Sequence, residues 1–253
     1  MQNTGQPNPA GQRPAGGPAR RAKPEIPAEF KAEPLEQLDP NALIGILKEP
    51  GSEPAAVFRK AIASKRLAVI GTKEAVPPLA ALLGDDRASD YARDALESIP
   101  DPAADEALRA ALPKLKGLPL IGAINSLRRR RDLQAVEPLG KLIYGADAAV
   151  ARAAALAVGE IGGPAAAKTL QRALGAAKGA VRADVAAGAL LCADRMMAED
   201  RKGALALLDV LCRPDIQSNV RMSAMHLQIA AETSLKRPRT APAAADAPPP
   251  AQK

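Results

Sequence analysis

The stretch that decides the fold is residues 135–174, AVEPLGKLIYGADAAVARAAALAVGEIGGPAAAKTLQRAL. Its first third has apolar residues at the i, i+3, i+4 spacing of one helix face: Leu139, Leu142 and Ile143. Asp147 is suited to cap a second helix, and Gly162-Gly163 is suited to end it, because glycine tolerates the backbone of a closing turn. Pro164 then favours the first turn of a third helix. The stretch therefore predicts three helices joined by two tight turns.

The same pattern occurs earlier in the chain, at residues 75–112. Four apolar positions coincide at an offset of 60 residues, so that Leu79, Leu82, Ala95 and Leu96 match Leu139, Leu142, Ala155 and Leu156. Two more coincide at an offset of 62, where Leu108 and Leu112 match Leu170 and Leu174. A further copy beginning at Ala104 halves the period to roughly 30 residues, the length of two helices. Internal repetition at this period is typical of a helical solenoid.

The segments AVEPL, DAAVARAAALAVGEIGGPAAAKTL and DRASDYARDALESIPDPAADEAL resemble the short HEAT-like repeats of the phycobilisome-lyase type, of about 30 residues each. The resemblance implies an all-α fold, a right-handed α-solenoid of about five to six helix pairs. It also implies that the second helices of the pairs, notably 148–161 and 179–197, line the concave face. Because such repeats serve unrelated partners, the resemblance indicates the fold and says little about function.

The repeat register predicts the position of each helix pair. An opening pair starts at Asp39 and Glu53, each followed by a proline. The later pairs are predicted at about 73–83 with 87–98, 102–115 with 117–130, 133–144 with 148–161, 164–176 with 179–197, and 199–212 with 216–233. The opening pair departs from the consensus, as terminal repeats of solenoids do when one face meets water instead of a neighbour.

Composition divides the chain into three regions. Residues 1–34 are rich in Gly, Pro and Gln, and residues 236–253 are rich in Pro and Ala, so we predict two disordered tails around a solenoid at 35–235. The start has no apolar stretch typical of a signal peptide, and no run approaches 18 apolar residues. We therefore predict a cytoplasmic protein that does not associate with a membrane.

The net charge of +7 is concentrated in the tails. Residues 35–235 hold 26 basic and 24 acidic residues, a net charge of only +2. A folded surface that binds nucleic acid through its phosphates would need a basic face, and the total charge of the solenoid does not indicate one.

Few residues are available from which a catalytic or metal site could be built. The sequence has one histidine, His226, and it lacks the His-Glu dipeptide that HEAT-repeat hydroxylases use to hold two irons. Metal sites and His-dependent triads need several converging side chains. We predict no catalytic residues, no cofactor-binding residues and no metal ligands, and we expect His226 to be packed or at the solvent edge.

The two cysteines, Cys192 and Cys212, both fall in predicted helices. Secreted disulfide scaffolds are small and dense in cysteine, unlike this chain, and there is no C-x-x-C motif. We expect two reduced core thiols, with a disulfide bridge or a redox pair as the alternative.

The most distinctive charged feature is the run Arg128-Arg129-Arg130-Arg131, at the junction of two predicted helices. Arg130 aligns with Ile161 of the next copy, an apolar position. One interpretation is a solvated helix end that is stabilised by the helix dipole. The other is a site that binds phosphate, nucleic acid or an acidic segment of a partner.

Two functions follow as hypotheses. The favoured one is a non-enzymatic scaffold or adaptor that binds an unidentified protein partner on the solenoid surface. The alternative is a nucleic-acid-binding protein that uses Arg128–Arg131 and the basic tails, as HEAT-like-repeat DNA glycosylases use a basic groove. The low charge of the solenoid and the absence of Trp count against this alternative.

Overall fold

The computed structural model describes residues 35–236, which form twelve α-helices and no β-strand. The helices are α1 Pro40–Lys48, α2 Pro54–Ile70, α3 Val76–Ala81, α4 Ser89–Ser98, α5 Pro102–Ala111, α6 Gly117–Arg130, α7 Val136–Leu142, α8 Ala148–Ile161, α9 Gly163–Ala176, α10 Gly179–Met196, α11 Arg201–Leu211 and α12 Ser218–Lys236. They make six consecutive pairs, which confirms the predicted all-α solenoid. The predicted tails lie outside the described residues, except for Lys236, which ends α12.

The helix pairs stack in two layers. The second-helix layer contains the even-numbered helices, and each of them, from α2 to α12, contacts the next even-numbered helix. The first-helix layer contains the odd-numbered helices, with contacts from α1 to α3 to α5 and from α7 to α9 to α11. Because a helix pair cannot bury its apolar side alone, this stacking of neighbours creates the core.

Local signals set the helix ends, as the sequence predicts for Asp39, Asp147 and Gly162-Gly163. The side-chain carboxylates of Asp39, Asp101 and Asp147 accept hydrogen bonds from backbone N–H groups in the first turns of α1, α5 and α8, at 2.8–3.2 Å. Gly162 and Gly163 have positive φ values of 76° and 86°, which a residue with a Cβ rarely adopts. These two glycines let the chain leave α8 and enter α9 without an intervening loop.

Two first helices are shorter than the sequence predicts. The predicted helices 73–83 and 133–144 each open with a 3-10 turn, Lys73–Ala75 and Leu133–Ala135, before α3 and α7 begin. Each α-helix starts just before a proline, Pro77 in α3 and Pro138 in α7. Proline has no N–H to donate and fits only in the first turn of an α-helix, so the preceding residues adopt the tighter turn.

The core of residues 35–236 consists mainly of aliphatic residues, and none of the buried residues is aromatic. Leucines such as Leu79, Leu96 and Leu139 are fully buried, and alanines fill most of the remaining core positions. Small residues let the helices of the second-helix layer approach closely. A Cβ at Gly159 would overlap the carbonyl oxygen of Gly188, and a Cβ at Gly188 would overlap the carbonyl oxygen of Ala155. The backbones of α8 and α10 are thus in direct contact.

Across residues 35–236, no helix combines the length and the apolar character that crossing a bilayer requires.

Substituting Gly188→Ala is expected to lower the free energy of unfolding by about 2 kcal/mol or more, because the added methyl group would push α8 away from α10. Denaturant unfolding followed by circular dichroism at 222 nm measures this change. Gly45→Ala is the matched control, since nothing lies within 4 Å of a Cβ at this position in α1. It should stabilise the protein by about 0.5–1 kcal/mol through helix propensity. Equal effects of the two substitutions would contradict the close contact.

Candidate protein-binding surface

The four consecutive arginines lie at the C-terminal end of α6. Arg128, Arg129 and Arg130 form its last turn, and Arg131 follows with a φ of 53°, in the left-handed conformation that commonly ends a helix. The four consecutive side chains at this end of the helix project in different directions, so each of them lies in a different environment.

Arg130 points into the core side of the neighbouring repeat, and only 10% of its side chain is exposed. Its guanidinium donates hydrogen bonds to the carbonyl oxygens of Leu96, Ile99 and Asp101 at 2.7–3.1 Å. It also makes a two-pronged ion pair with Asp105 near the start of α5. Arg130 therefore caps the free carbonyls that end α4 and ties that end to α5.

Arg128 and Arg129 pair with acidic residues of the repeats on either side. Arg129 contacts Glu97 of α4 at 2.8 Å, and Arg128 contacts Glu160 of α8 at 2.7 Å. Glu160 lies 4.0 Å from Arg195 of α10. These groups form a ladder of ion pairs along the ends of four second-layer helices, α4, α6, α8 and α10.

Three of the four arginines thus have carboxylate partners inside the solenoid. Arg131 is exposed and has no carboxylate partner among residues 35–236. These internal pairs favour a structural role for Arg128, Arg129 and Arg130. Anion or partner binding by Arg128–Arg131, expected as one interpretation of the sequence, stays a prediction.

Replacing Arg130 by alanine is expected to lower the free energy of unfolding by about 3 kcal/mol, because it leaves buried carbonyls without donors and Asp105 without its partner. Arg131→Gly removes the same charge one residue later, at a position where glycine suits the positive φ. It should leave stability unchanged or raise it by up to about 1 kcal/mol. Chemical denaturation of both variants measures the difference, and similar losses would show that charge, not capping, is the cause.

A groove runs along the first-helix layer between α7 and α9. It consists of two connected chambers of about 230 and 590 Å³, which share Glu137, Thr169 and Arg172 as lining residues. Gly140 forms part of its floor, where an added Cβ would come within 2.6 Å of the Thr169 methyl group. The absence of a side chain at Gly140 therefore lets α7 and α9 approach closely at the base of the groove.

Two large apolar side chains stand exposed at opposite ends of the α7–α9 groove. Leu133 is 68% exposed and lines the larger chamber, and Tyr144 is 56% exposed and lines the smaller one. They lie just before and just after α7, outside the face that packs on the core. The groove therefore has an exposed apolar group at each end.

The two walls of the groove differ in charge. On α7, Glu137 and Lys141 form an ion pair at 3.0 Å, so this wall is close to neutral. On α9, Lys168 and Arg172 are exposed one helical turn apart, and neither has a carboxylate partner among the described residues. The α9 wall therefore has two uncompensated positive charges.

The sequence does not predict the α7–α9 groove. Leu133 and Tyr144 are visible in the sequence as apolar residues outside the core register of the predicted helix 133–144. That signal alone does not indicate a groove, because Lys168 and Arg172 are supplied by a helix about 30 residues away.

The remaining candidate residues are not brought together. Both cysteines are free; Cys192 is buried and Cys212 is half-buried. Cys212 donates a hydrogen bond to the Gln228 side-chain oxygen at 3.3 Å. His226 is exposed on α12. In residues 35–236, no three His, Cys, Asp or Glu side chains lie close enough together to hold a metal ion.

Burial raises the pKa of the Cys192 thiol from 9.0 to about 11, because the thiolate loses its hydration. At pH 8 we expect iodoacetamide to label Cys212 first and Cys192 about tenfold or more slowly, as mass spectrometry can measure. Labelling of both at one rate would contradict this order.

The same shift predicts how stability depends on pH. The Cys192 thiol loses its proton near pH 9 in the unfolded state and near pH 11 in the folded state. Its contribution to the free energy of unfolding is therefore intact below pH 9 and declines as the pH rises from about 9 to 11. Cys192→Ala should remove this part of the decline in the free energy of unfolding at alkaline pH.

Comparisons with known proteins identify one repeat directly. Residues 150–176, which contain most of α8 and all of α9, match the family described as PBS lyase HEAT-like repeat. This match confirms the resemblance to HEAT-like repeats that the sequence indicates. No curated protein matches the chain.

Among solved structures, the chain is similar to human deoxyhypusine hydroxylase in complex with glycerol, with 18% sequence identity and a TM-score of 0.38. The match covers 79% of this chain and 97% of that one. This match corrects the prediction that the chain is not an enzyme: the similar structure is that of an enzyme, so a helical-repeat chain is not excluded from catalysis by its architecture. The physical reason is that stacked helix pairs specify the backbone and leave the surface residues free, so one architecture can support catalysis or binding.

Proposed function

We propose that the chain is a helical-repeat scaffold that binds a protein partner, and that the partner docks in the α7–α9 groove. The observation that carries this proposal is the exposure of Leu133 and Tyr144 at the two ends of a concave surface. Burying a large apolar or aromatic side chain in a partner is a common source of binding free energy at interfaces. A location in the cytoplasm, expected from the sequence, belongs to the same proposal.

The groove lies on the first-helix layer, whereas the resemblance to HEAT-like repeats implies a binding face made by the second helices. On that second-helix layer, many charged side chains are occupied by the ladder of ion pairs between repeats. The groove differs because it combines two cations that have no partners in the described residues with an exposed apolar group at each end. This difference supports docking at α7 and α9.

Nucleic acid is the less supported partner. Three arginines of the Arg128–Arg131 run are paired within the solenoid, so they would have to exchange carboxylates for phosphates. The groove, moreover, combines its two free cations with apolar ends, which a phosphate backbone would not use.

The test compares the full chain with Tyr144→Ala and Leu118→Ala as immobilised baits in nuclease-treated native lysate. Leu118 on α6 is 81% exposed, and Leu118→Ala serves as the control because it removes an apolar group at least as accessible as Tyr144 from the second-helix layer. We expect a discrete protein to be captured by the full chain and the control, and its recovery to fall about tenfold or more with Tyr144→Ala.

Equal recovery on all three baits would contradict docking in the groove. Recovery that depends on omitting the nuclease would favour nucleic acid. Selective loss with Leu118→Ala would move the binding surface to the second-helix layer.

A further inference from the structure

We infer that the α7–α9 groove takes an extended peptide segment with an acidic residue at its centre and an apolar residue on either side. This inference rests on the proposed function and specifies the chemistry of the partner.

The position of the charges places the acidic residue. Arg172 lines both chambers, and Lys168 lies one turn before it on α9. A guanidinium binds a carboxylate through two parallel hydrogen bonds, and a nearby ammonium adds attraction. Glu137 does not cancel these charges, since it pairs with Lys141 at 3.0 Å. A ligand carboxylate is therefore the group that complements the middle of the groove.

Stability does not explain this pair of cations. Like charges four residues apart on a helix are mildly destabilising, by a few tenths of a kcal/mol. Other arginines of the solenoid, such as Arg128 and Arg152, have carboxylate partners one repeat away. Lys168 and Arg172 have none in the described residues, so both cations remain available to a ligand.

The length of the groove sets the length of the segment. Leu133 and Tyr144 are separated by one 3-10 turn and α7, a rise of about 17 Å. An extended peptide advances about 3.3 Å per residue, so the first and fifth residues of a segment lie about 13 Å apart, and their side chains can reach across the remaining distance to Leu133 and Tyr144. Because alternate side chains of an extended segment point the same way, its first, third and fifth residues would meet Leu133, Arg172 and Tyr144. The predicted order is apolar, any, acidic, any, apolar.

The experiment is a selection of displayed random seven-residue peptides on the full chain, with Lys168→Glu/Arg172→Glu as the matched variant. Both positions are exposed, and the variant keeps two like charges one turn apart, so its helix content should equal that of the parent. We expect Asp or Glu to be enriched two residues from Leu, Ile, Phe or Tyr. The charge-reversed chain should select Lys or Arg at that central position instead.

A synthetic peptide from the selection supplies the quantitative readout. Its Kd, from fluorescence polarisation, should rise about tenfold or more with Arg172→Glu and should also rise with salt. Competition with a short DNA duplex tests the other source of negative charge, and displacement of the peptide by duplex would overturn the inference.

Three further outcomes would overturn it: no enriched peptide, enrichment without acidic residues, or the same peptides on the charge-reversed chain. The lysate capture separates this failure from that of the proposed function. A partner lost with Tyr144→Ala but lacking an acidic segment would keep the groove and reject its acidic ligand. Capture of the partner at the same level by Tyr144→Ala would contradict docking in the groove itself.

Discussion

The structure depends on how closely α8 and α10 approach one another. Gly159 and Gly188 face each other at this contact, where a methyl group on either would overlap the backbone of the opposite helix. Attraction between packed atoms falls steeply with distance, so this approach gives two narrow helices a dense interface without aromatic residues. It also sets the separation of the fourth and fifth helix pairs, and thereby the positions of the first-layer helices α7 and α9 that lie over them.

Polar side chains bind backbone groups that the packing of small residues leaves without hydrogen-bond partners. At the end of α6, Arg130 occupies the place that Ile161 takes in the next repeat, but it reaches the free carbonyls at the end of α4 and the carboxylate of Asp105. A buried guanidinium is tolerated there because its donors are matched by acceptors on two elements. The C-terminal end of α4 is thus capped by Arg130 of α6 and not by a residue of its own segment.

The two layers of helices have different surfaces. The second-helix layer uses ion pairs such as Arg128–Glu160 to connect successive repeats, which leaves fewer charges free to attract a ligand. The first-helix layer carries a groove over the contact between α7 and α9, with Gly140 at its floor.

The sequence by itself determined the repeat period, the six helix pairs and most helix ends. Asp39, Asp101 and Asp147 cap their helices, and Gly162-Gly163 separates α8 from α9, because capping and glycine turns are effects of neighbouring residues. Only the tertiary structure decided where Arg130 points and that Lys168 and Arg172 face Leu133 and Tyr144. Those relations join residues about 30 positions apart on separate helices, and their distances depend on how tightly the intervening repeats pack.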